Sequence, residues 1–312
     1  MTVKQVAVML VLAALWGGSY LLIRIAVPAF GPMSLMAVRV GIAALVLAIG
    51  LRIAGRRPRE LRDNVVPLLV VGAVNGAIPF GLIAAAEIHL TASLAAVLGA
   101  TVPLFSVLIG AVWLRQRVSA QRGVGLVMGI AGVAVLVGWS PMALTTETMF
   151  GVGALLLAAA SYAFSGLFTK AKLAHVPSTT LAVGQQIAAT ALLIVPALLN
   201  PPRLPIPASA LWAVLALAVL CTSLAFLLYF YLLAEIGALR TQTVTYLIPV
   251  FGMAWGSLFL HEPITRGMLV GLGVILASVL LVNGAPRTSR EVIDESGAAS
   301  AASRCTTRSA SR

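Results

Sequence analysis

Ten apolar runs, each about long enough to cross a bilayer, leave this chain few folds to choose from. They lie at 5–26, 33–53, 65–86, 91–114, 122–139, 150–169, 178–199, 209–233, 239–260 and 265–283. A hydrocarbon core about 30 Å thick takes roughly 20 helical residues. The breaks between runs carry proline, glycine or charge: Pro28 to Pro32, Arg56 to Asn64, Arg115 to Gln121, Trp139 to Glu147, and Asn200 to Pro207. Only 10% of residues are charged and 60% are hydrophobic, whereas a soluble domain has about 25% charged residues. With a mean hydropathy of +1.04, no soluble fold could bury this surface, and lipid must be the solvent. The expected class is an all-α polytopic membrane protein of ten transmembrane helices. The first run is too long for a signal-peptide core and lacks a cleavage site, so a retained helix is expected. From Ala285 the chain turns to Ser, Ala, Thr and Arg, and residues 285–312 read as a disordered tail.

The net charge of +12 follows from topology rather than from nucleic-acid binding, because the basic residues form no compact patch that could neutralise phosphates. Placing the N-terminus in the cytoplasm puts Lys4, Arg52, Arg56, Arg57, Arg59, Arg62, Arg115, Arg117, Arg122, Lys170, Lys172 and Arg240 inside. Only Arg203 and Arg266 then fall in outer loops. Lys and Arg concentrate in cytoplasmic loops, so both termini are expected in the cytoplasm, with the tail arginines adding to the bias. The expected location is the bacterial inner (plasma) membrane. None of the three lysines follows a glycine, which excludes a Gly-Lys-Ser/Thr phosphate loop. Cys221 lies in an apolar run and Cys305 in the tail, a poor basis for a disulfide.

The sequence also repeats itself. Trp16 to Ser19 matches Tyr162 to Ser165, and Pro32 through Ala44 matches Pro177 through Ala189. Pro103, Leu104 and Phe105 match Pro249, Val250 and Phe251, with Gly110 on Gly256 and Leu114 on Leu260. The spacing stays near 146 residues, which divides the chain into repeats at 1–140 and 141–284. Five helices per repeat is an odd number, so the second copy must enter from the opposite side of the membrane. Inverted repeats suit transport, since two similar halves can exchange conformations around a central site.

Several motifs resemble the EamA family of the drug/metabolite transporter superfamily. They are the run Leu15 to Tyr20 (Leu-Trp-Gly-Gly-Ser-Tyr), Arg39 early in helix two, Leu114 to Arg117 before a glycine-rich helix, and Leu260, His261, Glu262 and Pro263 before the last helix. The resemblance covers about residues 5–283 and extends to the aromatic amino-acid exporters. It implies that helices 3–4 and 8–9 move as gates around a central cavity, while helices 5 and 10 act as scaffold. Gln116 departs from the Glu usual at its position. The small multidrug exporters of that superfamily have a buried Glu in helix one; the matching stretch here has no acid.

Candidate cavity residues are therefore polar and uncharged: Trp16, Ser19 and Tyr20 in helix one, Asn75 and Pro79 in helix three, Thr101 in helix four, and Ser161, Tyr162 and Ser165 in helix six. Thr222 and Tyr229 in helix eight and Tyr246 in helix nine complete the set. Any single hydroxyl could instead bond back to its own helix or join two helices, at about 0.6 kcal/mol. Pro103 and Pro249 occupy matching places and are expected to act as hinges. Arg24 and Arg39 could attract a carboxylate, but snorkelling or capping of helix-end carbonyls is the expected role. Glu87 and Glu235 suggest a symmetric gate or turn. Glycines 125, 129 and 132 of helix five and 267 and 271 of helix ten make small faces, suited to helix packing or to a dimer interface.

Three scattered histidines supply neither a metal site nor a catalytic triad, so no cofactor, metal or catalytic residue is expected. The expected function is export of amino acids, aromatic and other apolar ones, by alternating access. A carrier of other metabolites or drugs, or a membrane-embedded enzyme, are the alternatives; the enzyme lacks an intramembrane acid–base or metal pair.

Overall fold

The computed structural model describes residues 1–55, 60–139, 143 and 145–284. The tail at 285–312 and the loop arginines Arg56, Arg57 and Arg59 lie outside them. Among the described residues there is no strand, and nine helices are long and apolar enough to span a membrane, with a tenth shorter one. They are α1 Val3–Phe30, α2 Pro32–Ile53, α3 Val65–Ala86, α4 Ala92–Trp113, α5 Ala120–Gly138, α6 Thr146–Lys172, α7 Ser178–Leu199, α8 Ala208–Ala238, α9 Val244–Leu260 and α10 Arg266–Gly284. The protein is an integral membrane protein of about ten helices.

Hydroxyl side chains start many of these helices. Thr2 accepts from the Gln5 amide and Gln5 reciprocates, while Thr91, Ser119 and Thr145 cap α4, α5 and α6. Each satisfies a donor that lipid could not. A single residue, Gly31 at φ 70°, joins α1 to α2, with Pro32 opening the second helix. Only glycine holds that backbone without strain.

The sequence reading places helix nine at 239–260, but the structure starts α9 at Val244. Gly237 takes φ 76° and turns the chain at the end of α8, and the turn at Gln242 and Thr243 interrupts the helix before α9 begins. Helix α4 is likewise in two pieces, Ala92–Gly99 and Val102–Trp113. Pro103 opens the second piece, whereas Pro249 lies inside continuous helix.

The two halves interlock. Helix α1 packs on α8 and α9, just as α6 packs on α3 and α4; α3 packs on α7 as α8 does on α2. Helices α2 and α7, α4 and α9, and α5 and α10 pack on each other. Exchanging the halves leaves this pattern unchanged. Equivalent helices also run antiparallel. Gly125, Gly132 and Leu136 of α5 meet Val282, Ile275 and Gly271 of α10 in turn, and Ser93 and Ala96 of α4 meet Gly256 and Gly252 of α9.

The glycine faces of α5 and α10 are spent on this contact. A Cβ on Gly132 would stand 3.1 Å from the Ile275 backbone nitrogen, and one on Gly267 would strike Trp139. Gly153 of α6 faces open space. Replacing Gly132 with Leu forces two backbones apart and should cost about 1–3 kcal/mol, read as a lowered Tm in detergent. Gly153→Ala should leave Tm nearly unchanged; equal Tm values for the two variants would show that the seam is not closely packed.

Candidate functional site

Helices α3 and α8 each contain one π-helical turn, Ala73–Ala77 and Val219–Leu224. The turns stand one repeat spacing apart. A π-turn widens the helix and disturbs its ladder of hydrogen bonds, and such turns are frequent at functional sites. Different chemistry supports each one. In α3, Pro79 follows the turn and has no N–H to give the Asn75 carbonyl four residues back. In α8, the Thr222 and Ser223 hydroxyls donate to the carbonyls of Leu217 and Ala218, at 2.9 and 3.0 Å.

Each π-turn is tied to the opposite half. Asn75 Nδ2 donates to Gln185 Oε1 of α7 at 3.0 Å, and Ser161 of α6 donates to the Val74 carbonyl at 2.7 Å. On the other side, Arg39 Nε of α2 donates to Thr222 Oγ1 at 3.0 Å. The Arg39 guanidinium also lies 4.0 Å over the Phe80 ring, and the Tyr162 ring meets Phe80 edge-on. Tyr20 reaches toward α4, its hydroxyl filling the space beside Gly99. Thr222, Phe80 and Tyr162 thus gather around Arg39, while Asn75 pairs with Gln185 at the matching junction of α3 with α7. Pro79 and Ser165 are buried.

The remaining candidates sit elsewhere or bond locally. Ser19 donates to the Trp16 carbonyl and Thr101 to the Leu98 carbonyl, both within their own helices. Trp16 pairs with Tyr229, ring centroids 5.6 Å apart, in a second apolar cluster with Leu12, Leu232 and Val244. The Tyr246 hydroxyl accepts from Asn283 and ties α9 to the end of α10.

The two arginines separate. Arg24 donates to the carbonyls of Glu87 and Ile88 and so caps the end of α3, as expected. Arg39 neither snorkels nor caps a carbonyl: it is 5% exposed and points into the bundle. Composition gives no hint of this, since the side chain's direction depends on how α2 rotates against α8. Glu87 and Glu235 are not a structural pair. Glu87 is fully buried with both carboxyl oxygens unpartnered, while Glu235 is exposed. The short turn after α3 brings the Glu87 carbonyl to Arg24, whereas α8 continues past Glu235 to the positive-φ Gly237.

Glu262, outside the candidate set, joins the halves. Its Oε1 accepts from the Ala92 N–H and its Oε2 from the N–H and hydroxyl of Ser93, at 2.9, 2.9 and 2.5 Å. A carboxylate there meets the positive end of the α4 dipole. The left-handed His261 aims it, and Arg115 has the same left-handed backbone in the other half. In both halves the next amide, Glu262 or Gln116, donates to a glycine carbonyl, Gly256 or Gly110. Among the described residues no bond carries Gln116 across to the start of α9. The carboxylate latch is present at one end of the bundle and, among the described residues, has no equivalent at Gln116. The distinctive run Leu260 to Pro263 signals this turn in the sequence, though not its partner on α4.

The EamA-like transporter family matches residues 4–138 and again 149–284. Similar proteins include a "Probable terminal-alkyne amino-acid exporter" of Streptantibioticus cattleyicolor, 27% identical over 90% of this chain and 93% of its own. The "Uncharacterized transporter YvbV" of Bacillus subtilis is 27% identical over 87% and 89%. The "Uncharacterized inner membrane transporter YedA" of Escherichia coli K12 is 26% identical over 86% and 87%. A solved crystal structure superposes with a TM-score of 0.61 over 90% of this chain and 96% of its own, at 19% identity, which shows the fold.

Removing the Glu262 carboxylate leaves two first-turn donors of α4 without a partner, at about 1.5–3 kcal/mol for charged hydrogen bonds. Hydrogen exchange at the Ala92 and Ser93 amides should therefore quicken in Glu262→Ala. Unchanged protection would mean that the carboxylate does not hold the helix end.

Proposed function

Because the chain belongs to the EamA-like transporter family, we propose that it is a secondary transporter exporting amino acids, aromatic and other apolar ones among them, by alternating access. The observation that carries this reading is the pair of π-turns, each tied by side-chain hydrogen bonds to the opposite of two inverted halves. A polar site at that interface can be opened to either side when the halves rock. One relative is named a probable terminal-alkyne amino-acid exporter, and the groups around the π-turns suit an amino acid. Amide and hydroxyl groups at Asn75, Gln185 and Thr222 suit a polar head, and Phe80 and Tyr162 suit an apolar side chain. Trp16 and Tyr229 extend that wall toward the unlatched end, with Ser19, Thr101, Ser161 and Ser165 shaping it and Tyr246 at its edge.

The two repeats, 1–140 and 141–284, then exchange roles between the two open states. Helices α3, α4, α8 and α9 are the moving parts, and α5 with α10 is the frame. Both termini face the cytoplasm, so the latch at Glu262 closes the outer end and the site opens inward. Pro103 and Pro249 are the hinges of α4 and α9. Ala at either proline should leave expression near normal and slow transport; an unmodified rate in both variants excludes a hinge role.

Orientation is checked by labelling intact cells with an impermeant thiol reagent, after Cys221 and Cys305 are changed to Ser. A cysteine introduced at Thr145 should react and one at Asp63 should not. The opposite result overturns the topology. Transport itself is measured with radiolabelled amino acids in proteoliposomes. Uptake of aromatic and apolar amino acids is expected, with Asn75→Ala, Trp16→Ala and Tyr246→Ala slower in folded protein. No movement of any amino acid would refute the substrate assignment.

A further inference from the structure

Arg39 is a charge without a partner charge. Its Nε bonds to Thr222 and its Nη1 makes only a long contact, 3.9 Å, to the Met36 sulfur. Among the described residues no carboxylate stands within ion-pair distance. Guanidinium has five N–H donors and does not deprotonate in proteins. Burying it unpaired inside a membrane bundle is costly, and such groups are functional by default.

The repeat supplies an internal control for a purely structural role. The junction of α2 with the π-turn of α8 corresponds to the junction of α7 with the π-turn of α3. The repeat aligns Arg39 with Gly184, and the next residue, Gln185, makes the cross-half bond to Asn75. A neutral amide therefore suffices to tie a π-turn to the opposite half. The charge on Arg39 adds nothing to that task, and its remaining donors are still available.

We propose that Arg39 is the anchor for a substrate carboxylate, with Thr222 and the Phe80 ring holding the guanidinium in place. The proposal rests on the amino-acid reading above and narrows it: the transported molecules carry a free carboxylate. Arginine presents its N–H groups as a planar fork that fits a carboxylate in two-point contact. Thr222 occupies Nε from one edge and Phe80 covers one face, which leaves the Nη edge with only the long Met36 contact to give up to a carboxylate. The Phe80 and Tyr162 rings then lie beside the anchored group, where an apolar or aromatic side chain would extend. The site is consequently selective for the acid function and permissive toward the rest of the molecule.

The test compares phenylalanine with phenylalaninamide, which keeps the ring and the ammonium and replaces the carboxylate. In proteoliposomes Arg39→Gln should lower the ratio of phenylalanine to phenylalaninamide transport by roughly tenfold or more, the scale of a lost charged hydrogen-bond pair. A ratio that stays at the unmodified value overturns the proposal, whether both rates fall or neither does. If Arg39→Gln fails to fold, Thr222→Val keeps the charge and loosens its positioning. It should raise KM for phenylalanine more than for the amide, and equal changes count against the anchor. A second readout is independent of amino-acid export. Phenylacetate should raise the Tm of the detergent-solubilised unmodified protein and not that of Arg39→Gln. If the unmodified protein moves no amino acid yet is stabilised by phenylacetate, the transport reading fails and the anchor stands. If phenylacetate stabilises neither protein, the anchor is wrong.

Discussion

Inside a bilayer each backbone N–H and C=O has to find its partner within the protein, because hydrocarbon offers none. Every other feature here depends on that demand. It fixes the helices, places hydroxyls at their starts, and confines irregular backbone to the places where side chains can repair it. The two π-turns, the two-piece α4 and the turns at His261 and Arg115 are such places. Each is repaired differently, by a hydroxyl reaching back five residues, by a serine from the other half, or by a carboxylate at a helix start. Polar chemistry in this bundle is gathered where the ladder is interrupted.

The two seams between equivalent helices, α5 with α10 and α4 with α9, are made differently. The seam of α5 with α10 is backbone against backbone, with glycines removing the side chains that would otherwise separate the helices. Such contacts forfeit their dispersion energy over a fraction of an ångström, so the seam resists sliding. The α4 and α9 contact near Ser93 and Gly256 is also close, but it is closed by a carboxylate that can exchange partners. One contact is fit for permanence and the other for release.

Much of this was legible in the sequence. Ten apolar runs give the helices to within a few residues, because length and hydropathy alone decide membrane insertion. The spacing of the repeat makes the π-turn at 219–224 recognisable once the one at 73–77 is known. Asn75 with Pro79, and Thr222, are apparent as candidates because amide, proline and hydroxyl are unusual in an apolar run. What could not be read is direction. Whether Ser19 or Ser161 bonds its own helix or a neighbour's depends on rotation about the helix axis, and the outcomes differ. The inward turn of Arg39 and the burial of Glu87 are invisible for the same reason. Gly237 also moved the start of α9, since one positive φ shifts a boundary that apolar composition cannot mark.

The carboxylate at Glu262 and the amide at Gln116 break the exchange symmetry of the bundle at equivalent turns. Under the proposed alternating access, a perfectly symmetric chain would populate its two open forms equally across a symmetric membrane. A charged hydrogen bond exceeds a neutral one by about 1 kcal/mol, which is a population ratio of roughly five to one at room temperature. In that reading the pair at Glu262 and Gln116 is one bias on the resting distribution of the empty protein, placed at the ends of the bundle. On the same reading, substitution there would retune how long the protein waits on each side of the membrane and would leave the groups around the π-turns in place.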